Sequence, residues 1–327
     1  MKKRLFLLLS ILMGFAAQGA AQNDVLSWLL FGNTIRTFDI HHVAPLLTDA
    51  QRAGLRDKVV KIVFDKTGDD MDRHDTIYYN SQGYITRIVS RNESLFRGKR
   101  LKPTVMECTF TAEGRPLSMT ETAYSLNYAG EEHVEVMKSV RTFVYENGKL
   151  VSEYDKAYTM EKGKWKEFLP SMHTEPVWKY DYDANGQLAT TKGEYWCREG
   201  ASYNSQGWLI GDQSKKTFHG QRFAWDAVHN RYLSVSEKTQ EEDMDGEMIF
   251  SEVSTNFTYN DKGDIVKAVT YYYNLNSRGT RVGKPNVHTR AISYVYDAKG
   301  NWTKATIREG LGKNAKVVLR MSRAISY

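Results

Sequence analysis

The stretch YVYDAKGNW, from Tyr294 to Trp302, contains the pattern that decides the fold of this chain. Asp297 is favoured at the first position of a type I turn, because its carboxylate can accept a hydrogen bond from the backbone N–H two residues later. Gly300 supplies the left-handed residue that completes a three-residue hairpin loop with a bulge. Such a loop pairs the residue before Asp297 with the residue two after Gly300. The stretch therefore predicts a β-hairpin in which Tyr296 faces Trp302.

Seven segments repeat this spacing of an aromatic residue followed four positions later by glycine. They are FDKTG (Phe64–Gly68), YNSQG (Tyr79–Gly83), FTAEG (Phe110–Gly114), YDANG (Tyr182–Gly186), YNSQG (Tyr203–Gly207), YNDKG (Tyr259–Gly263) and YDAKG (Tyr296–Gly300). All but the third have Asp or Asn directly after the aromatic residue. The hairpin rule predicts the cross-strand pairs Tyr79–Ile85, Tyr182–Leu188, Tyr203–Leu209, Tyr259–Ile265 and Tyr296–Trp302. Cross-strand pairs of this kind stabilise a sheet by about 0.2–1 kcal/mol each, so the repeat predicts a chain of β-hairpins.

The sequence around these turns predicts an all-β, mainly antiparallel protein. YENG (Tyr145–Gly148) is a copy shortened by one residue, and WDAVHNRYL from Trp225 is a decayed copy. The flanking segments alternate apolar and polar residues and are rich in β-branched types, as half-buried strands are. We expect a meander with tight turns at one edge. SRNESLFRGKRLKPT, MEKGKWKEFLPSMHTEP and NLNSRGTRVGKPN predict longer loops at the other edge, where binding residues usually lie.

Helical signals are confined to the start of the mature chain. Thr48 and Gln51 have the spacing of a capping box, which predicts a short helix from Asp49 to Asp57. The segment NDVLSWLLFG, residues 23–32, could add another helical turn or two. We therefore expect residues 22–58 to form a partly helical cap on one end of the sheet, and residues 59–327 to form the β-hairpin repeat domain.

The segments YDYDANGQL (Tyr180–Leu188) and YVYDAKGNW resemble the YD repeats of the RHS/YD-repeat superfamily. The repeat unit of that family reads approximately tyrosine, any residue, tyrosine, aspartate, two residues, glycine, any residue, leucine. The ending from YDAKGNWTKATIREG to RMSRAISY also resembles uncharacterised secreted proteins of the Bacteroidetes. The resemblance implies a β-hairpin repeat fold from about Val59 to Tyr327. It supplies no catalytic residues, and the chain is too short to enclose a passenger toxin as RHS shells do.

The first 21 residues have the features of a secretory signal peptide. Lys2, Lys3 and Arg4 precede a short apolar run, and Gly19 and Ala21 provide the small residues of a cleavage site before Gln22. We therefore expect an exported protein in the periplasm, on the outer-membrane surface or in the medium.

The charge of the mature chain is nearly balanced. The sequence has 45 Lys and Arg against 39 Asp and Glu. Three of the basic residues belong to the signal peptide, so the net charge of the mature chain is about +3. This dispersed balance argues against a nucleic-acid partner, which favours a concentrated basic stripe.

No segment has the spacing of a known catalytic or metal-binding motif, so we expect no enzyme activity, no catalytic residues, no metal site and no cofactor. Asp39, His41 and His42 lie too close along the chain for the histidines to chelate one ion from a strand. Two acidic clusters are candidates for calcium but are better explained as solvated turns: Asp65, Asp69, Asp70, Asp72 and Asp75, and Asp243, Asp245 and Glu247. Cys108 and Cys197 could form a disulfide in an oxidising compartment or remain small buried side chains.

Tyr271, Tyr272 and Tyr273 must alternate between the two faces of a strand, so one face of this run is exposed. Exposed tyrosines suit protein or glycan recognition, although tyrosines also stabilise the outer faces of sheets.

The sequence therefore predicts a non-catalytic binding or structural module at the cell envelope, with an unidentified protein or glycan partner. One alternative is an outer-membrane-embedded β-barrel, whose short alternating strands and aromatic ending the sequence partly shares. Arg323 on the apolar face, and Arg87 and Lys304 on the expected lipid face, argue against it. A periplasmic hydrolase is the less specific alternative.

Overall fold

The computed structural model describes residues 48–68, 72–126, 134–168, 175–186, 188–193, 201–203, 209–212, 220–226, 228–229, 231–242, 248–312 and 314–327. These residues form one helical turn and 21 strands, and every described strand pair is antiparallel, which confirms the all-β prediction.

The helical turn is α1 (Asp49–Arg52). The strands are β1 (Lys61–Thr67), β2 (Arg73–Tyr79), β3 (Ile85–Ser90), β4 (Leu95–Phe96), β5 (Lys99–Arg100), β6 (Thr104–Phe110), β7 (Pro116–Leu126), β8 (Val134–Glu146), β9 (Lys149–Glu161), β10 (Lys164–Phe168), β11 (Trp178–Tyr182), β12 (Leu188–Gly193), β13 (Ala201–Tyr203), β14 (Leu209–Asp212), β15 (Gly220–Asp226), β16 (Arg231–Glu242), β17 (Met248–Tyr259), β18 (Ile265–Leu275), β19 (Arg281–Tyr296), β20 (Trp302–Glu309) and β21 (Lys316–Ser326).

The strands form one meander whose first and last members meet. Each strand pairs with the next in the chain, except that β4 and β5 form a separate small hairpin and that β3 pairs directly with β6. β10 and β11 both pair with β9 and together fill one strand position. β12 and β13 contact each other, and β1 pairs with both β2 and β21. The sheet therefore returns on itself instead of ending in two free edges.

The turns follow the rule set by the opening stretch. All five predicted cross-strand pairs occur: Tyr79–Ile85, Tyr182–Leu188, Tyr203–Leu209, Tyr259–Ile265 and Tyr296–Trp302. At the last turn, the Gly300 N–H donates to the Asp297 carbonyl at 3.1 Å, and the Lys299 N–H donates to the Asp297 carboxylate at 2.9 Å. Gly300 has a φ of 82°. The Asp297 side chain and the positive φ of Gly300 therefore form the hairpin as the sequence predicted.

The predicted hairpin at Phe64–Gly68 is wrong. β1 continues through this copy to Thr67, and Phe64 pairs with Asp75 instead of a residue just beyond Gly68. Gly68 has a φ of 95° and packs against β21, where an added Cβ would lie 2.7 Å from the Val318 carbonyl oxygen. This glycine is required by close approach at the β1–β21 seam.

The predicted long loops are partly folded into hairpins. Asn276–Gly279 forms the same Asn-to-Gly turn at the opposite edge, with the Gly279 N–H donating to the Asn276 carbonyl at 2.8 Å. Lys162–Gly163 and Arg97–Gly98 are two-residue turns in which both residues have positive φ, the geometry that matches strand twist. The sequence underestimated these strands because none of their turns has an aromatic residue four positions before its glycine.

A continuous apolar face runs from β15 through β21 and β1 to β6. Phe64, Ile77, Ala305, Ile307 and Leu319 are among its most buried members, each no more than 2% exposed. Val59, Ala50 and Leu55, which precede β1, also pack against this face. Burial of apolar surface at about 25 cal/mol per Å² is the main source of stability here.

Arg87 and Lys304 lie on the face opposite this core, which is the outer face of the closed sheet and the one that lipid would meet in a membrane-embedded barrel, as the sequence analysis expected. After each tight turn one extra residue, such as Thr86 or Thr303, is unpaired in the ladder. The bulge shifts the alternation by one residue. Arg323 does lie on the apolar face, where it is 6% exposed and its guanidinium is 3.5 Å from the Trp302 ring centroid.

The predicted N-terminal helix to Asp57 is also wrong, since only the single turn α1 forms. Gly54 has a φ of 64°, and the Leu55 N–H donates to the Ala50 carbonyl at 2.9 Å, a pattern that ends a helix. NDVLSWLLFG lies outside the described residues. The helical cap predicted from the sequence is therefore not present in the described part.

Residues 48–60 nevertheless lie across the tight-turn edge. The Ile85 N–H donates to the Asp49 carboxylate at 2.6 Å. Further along, the Arg56 N–H donates to the side-chain oxygen of Asn301 at 2.7 Å, and the Asn301 amide donates back to the Arg56 carbonyl at 2.8 Å. Asn301, which is 3% exposed, therefore connects residues 48–60 to the hairpin between β19 and β20, which contains YVYDAKGNW.

Replacing Gly68 with Ala tests the seam. We expect Gly263→Ala, at a φ of 82° with open space around its Cβ position, to lower the free energy of unfolding by about 1–2 kcal/mol through backbone strain alone. Gly68→Ala should cost at least about 1 kcal/mol more, because the backbone of β21 must also move. Urea unfolding followed by circular dichroism measures both; equal losses would show that Gly68 does not pack against β21.

Candidate functional site

The connection between β3 and β6, residues 91–103, folds back against the edge of the sheet. The Asn92 side-chain amide donates to the Tyr124 carbonyl at 2.7 Å, and the Leu101 N–H donates to the Ser94 carbonyl at 2.9 Å. The Arg97–Gly98 turn between these anchors reverses the chain. These local bonds hold the segment beside β2 and β3, at the edge where the sequence predicted function.

A cavity of about 310 Å³ lies between this segment and the strands. Val63, Thr76 and Val89 occupy adjacent positions on β1, β2 and β3 and form its floor. Leu101, which is 9% exposed, and Pro103 face this floor. The remaining lining residues are His74, Asp75, Arg91, Asn92 and Arg100. The cavity therefore combines an apolar floor with a polar rim, as small-molecule sites commonly do.

Two arginines at the rim share one carboxylate. Glu93 forms ion pairs with Arg91, with 3.0 Å between Glu93 Oε1 and Arg91 Nε, and with Arg100, whose Nη1 lies 2.9 Å from Oε2 and donates a hydrogen bond to Oε1 at 3.1 Å. The side chains of Arg91 and Arg100 are 51% and 37% exposed, so these exposed ion pairs contribute little to stability. Their effect is to hold two guanidinium groups next to each other.

His74 is oriented by Asp65, with 2.6 Å between His74 Nδ1 and Asp65 Oδ1. Asp65 and Asp75 belong to the acidic cluster considered for calcium, but they lie on opposite faces of the sheet. Asp75 is on the core face and 1% exposed. Asp72 accepts a hydrogen bond from the Gly68 N–H at 3.3 Å, as a turn residue does. Asp69 and Asp70 lie outside the described residues.

The side chains that line the cavity are mainly aliphatic groups and guanidinium groups. It contains no Ser, Cys or Lys, and Thr76 supplies its one side-chain hydroxyl. A nucleophile requires a base within hydrogen-bonding distance, and no such bond joins Thr76 to His74. In the described part of the chain, no group of three or more His, Cys, Asp or Glu side chains could hold a metal ion.

The Tyr271–Tyr273 run divides between two faces, as the sequence predicted. The rings of Tyr271 and Tyr273 stack with 6.2 Å between their centroids, and the Arg281 guanidinium lies 3.9 Å from the Tyr273 centroid. Arg281 also donates twice to Glu252, at 2.8 and 3.0 Å. Tyr272, on the other face, is 40% exposed. The two stacked tyrosines are therefore part of a structural cluster, and Tyr272 is the accessible ring.

The core face of β7 to β11 has a buried polar network that the sequence did not predict. Arg141 pairs with Asp155 at 3.1 Å and with Glu153 at 3.7 Å, and Tyr180 donates to Glu153 at 2.5 Å. The residues of this network come from β8, β9 and β11. In the sequence, the polar residues of these strands alternate with their neighbours as they would on any solvent-exposed strand face. Only strand register could have shown that they meet.

Cys108 is a free thiol in the structure, and burial raises its pKa to about 12. It is therefore a poor nucleophile at neutral pH. Cys197 lies outside the described residues, as do Asp39, His41, His42, Asp243, Asp245 and Glu247.

Comparison with known proteins adds little. No protein-family model and no curated protein matches this chain. Among solved structures, it is similar to a porin-like protein from Bacteroides uniformis with a TM-score of 0.36 and 10% identity, over 83% of this chain and 99% of that chain. A likeness this weak carries no argument. Across the residues that the structure describes, no helix is long and apolar enough to cross a membrane.

The Glu252–Arg281 pair yields a pH-dependent prediction. The hydrogen bonds from Arg281 lower the pKa of Glu252 below its ordinary value of 4.5. The pair therefore stabilises the fold above pH 4.5, and this contribution is lost as the pH falls through the lower, folded-state pKa. We expect Glu252→Gln to reduce the free energy of unfolding at pH 7 by about 2 kcal/mol. The difference between variant and wild type should shrink below pH 4.5.

Urea unfolding at a series of pH values measures this difference. Glu107→Gln is the control, because Glu107 pairs with Arg87 on an exposed surface and should cost no more than about 0.5 kcal/mol. If Glu252→Gln lowered the free energy of unfolding by the same amount from pH 7 to pH 3, the electrostatic account would be contradicted.

Proposed function

We propose that this chain is an exported, non-catalytic protein built of YD-like hairpin repeats, which acts as a binding module at the cell envelope. The signal-like segment before Gln22 supports export. The repeated Asn/Asp-to-Gly hairpins support the resemblance to YD repeats. The repeats themselves provide a scaffold, since closely similar turns recur at several places along the chain.

The observation that carries the proposed binding role is the cavity beside residues 91–103. It lies on three strands near the seam of the closed sheet, and rigid elements position binding groups more accurately than free loops do. Its floor is apolar and its rim contains two guanidinium groups held by Glu93. This arrangement suits reversible binding of a small molecule or of one side chain of a larger partner.

The face opposite the core favours an aqueous surface over the alternative of an outer-membrane-embedded barrel. Arg87 and Glu107 form an exposed ion pair at 3.4 Å across β3 and β6 on this face, and Lys304 and Arg320 are exposed on β20 and β21. An Arg or Lys facing lipid at the bilayer midplane costs about 2–4 kcal/mol. Several such residues on adjacent strands would make insertion unfavourable.

Export and extraction test this proposal. We expect mass spectrometry of the protein from the envelope fraction of a Gram-negative host to find Gln22 at its N-terminus. We also expect high salt to release it without detergent, because its contacts with the envelope are polar. Leu8→Arg should interrupt the apolar run of the signal peptide and retain the full chain in the cytoplasm. A mature protein that is released only by detergent would favour the embedded barrel instead.

A further inference from the structure

We infer that the cavity beside residues 91–103 binds a small amphipathic organic anion, with an apolar body against Val63 and Val89 and a carboxylate at Arg91 and Arg100. This inference rests on the proposed binding role and gives its site a ligand class. The ligand class follows from two features of the cavity, its apolar floor and its positively charged rim.

The floor requires an apolar body. Val63, Thr76 and Val89 are adjacent across three paired strands, and Leu101 and Pro103 approach from the other side. A volume of about 310 Å³ equals roughly ten water molecules at about 30 Å³ each. Displacing water from apolar walls is favourable in proportion to the area covered. An inorganic ion would leave these walls wet and gain nothing from them.

The rim requires a negative charge. Glu93 occupies Nε of Arg91 and Nη1 of Arg100, and each guanidinium has five N–H donors. Among the described residues, Glu93 is the one acidic partner of Arg91. Glu93 thus acts as a brace that orients both groups and leaves N–H donors for a second carboxylate. Guanidinium groups bind carboxylates with two parallel hydrogen bonds, which a lysine cannot do.

The other charges near the cavity do not compete for this position. Asp75 is the one carboxylate in the lining, but it is 1% exposed and lies on the core face of β2. Asp65 is engaged by His74. Glu93, whose side chain is 43% exposed, offsets one of the two guanidinium charges, so the rim has a net charge of +1, which selects an anion over a cation.

Isothermal titration calorimetry on the mature protein tests the inference with three probes: octanoate, 1-octanol and acetate. Octanoate has both the apolar body and the carboxylate, whereas each of the other probes has one of the two. We expect octanoate to bind at least 30-fold more tightly than either. Binding of 1-octanol as tight as that of octanoate would overturn the anion assignment.

Three variants separate the contributions of the rim and the floor. The double variant Arg91→Gln, Arg100→Gln should weaken octanoate binding at least 10-fold and leave 1-octanol binding unchanged. Val89→Phe should fill the floor and remove binding of both. Arg87→Gln is the matched control, because Arg87 lies on the same strand and pairs with a glutamate but does not line the cavity; it should change nothing. Circular dichroism and the thermal midpoint show that each variant is folded.

The outcomes distinguish this inference from the proposed function. If octanoate fails to bind, or binds equally to wild type and to the double arginine variant, the inference is wrong. Binding that survives Val89→Phe would place the site elsewhere. An exported, salt-extractable protein with either result would still be the proposed envelope module, with a different ligand class. A protein found embedded in the membrane would remove the proposed function, whatever the titrations show.

Discussion

The pairing of β1 with β21 is the contact on which the rest of the structure depends. Seven residue pairs join Lys61–Thr67 to Arg320–Ser326. They give β1 a neighbour on each side, so neither the first nor the last strand is left as an edge that could pair with other chains. Closure also gives the apolar face an interior. Phe64 and Leu319, at most 1% exposed, are buried on the two sides of this seam.

The tight turns connect successive strands of the sheet that closes at this seam. Each turn is determined by residues close together in the sequence. A side-chain oxygen of Asn or Asp accepts a hydrogen bond from the backbone N–H two residues later, and the glycine three positions after that Asn or Asp takes a positive φ. Because both requirements act within five residues, five cross-strand pairs could be predicted from the sequence alone. The same locality explains the exception at Phe64–Gly68, where packing against Val318 outweighs the local preference for a turn.

Longer-range features could not be predicted in this way. The extra residue after each turn, such as Thr303, changes which side chains share a face, and no residue type marks it. The side on which Arg87 and Lys304 lie is set by this strand register, in which both are opposite the core. The network of Arg141, Glu153 and Tyr180 depends on the register of three strands, which hydrophobic alternation does not define.

Only the location of the candidate site could be predicted from the sequence. Longer connections opposite the tight turns indicated where function lies, and residues 91–103 are one of the segments named. The cavity itself needs this segment to fold back on Asn92 and needs Val63, Thr76 and Val89 to come into register. Those residues are separated by loops in the sequence and have no motif in common. The sequence therefore predicted at which edge of the sheet the site lies, but not which residues form it.

Closure of the sheet is tested most directly by a disulfide across the seam. Val63 and Ala324 are opposite each other in the β1–β21 ladder, and directly opposed residues in antiparallel strands have Cβ atoms about 4.5–5.5 Å apart. In a Cys108→Ala, Cys197→Ala background, Val63→Cys with Ala324→Cys should form a disulfide on mild oxidation, detected by mass spectrometry of the linked peptides. Val63→Cys with Arg320→Cys, four residues out of register, should remain reduced. A seam that fails to cross-link at Ala324, or that cross-links equally at Arg320, would contradict the closed sheet.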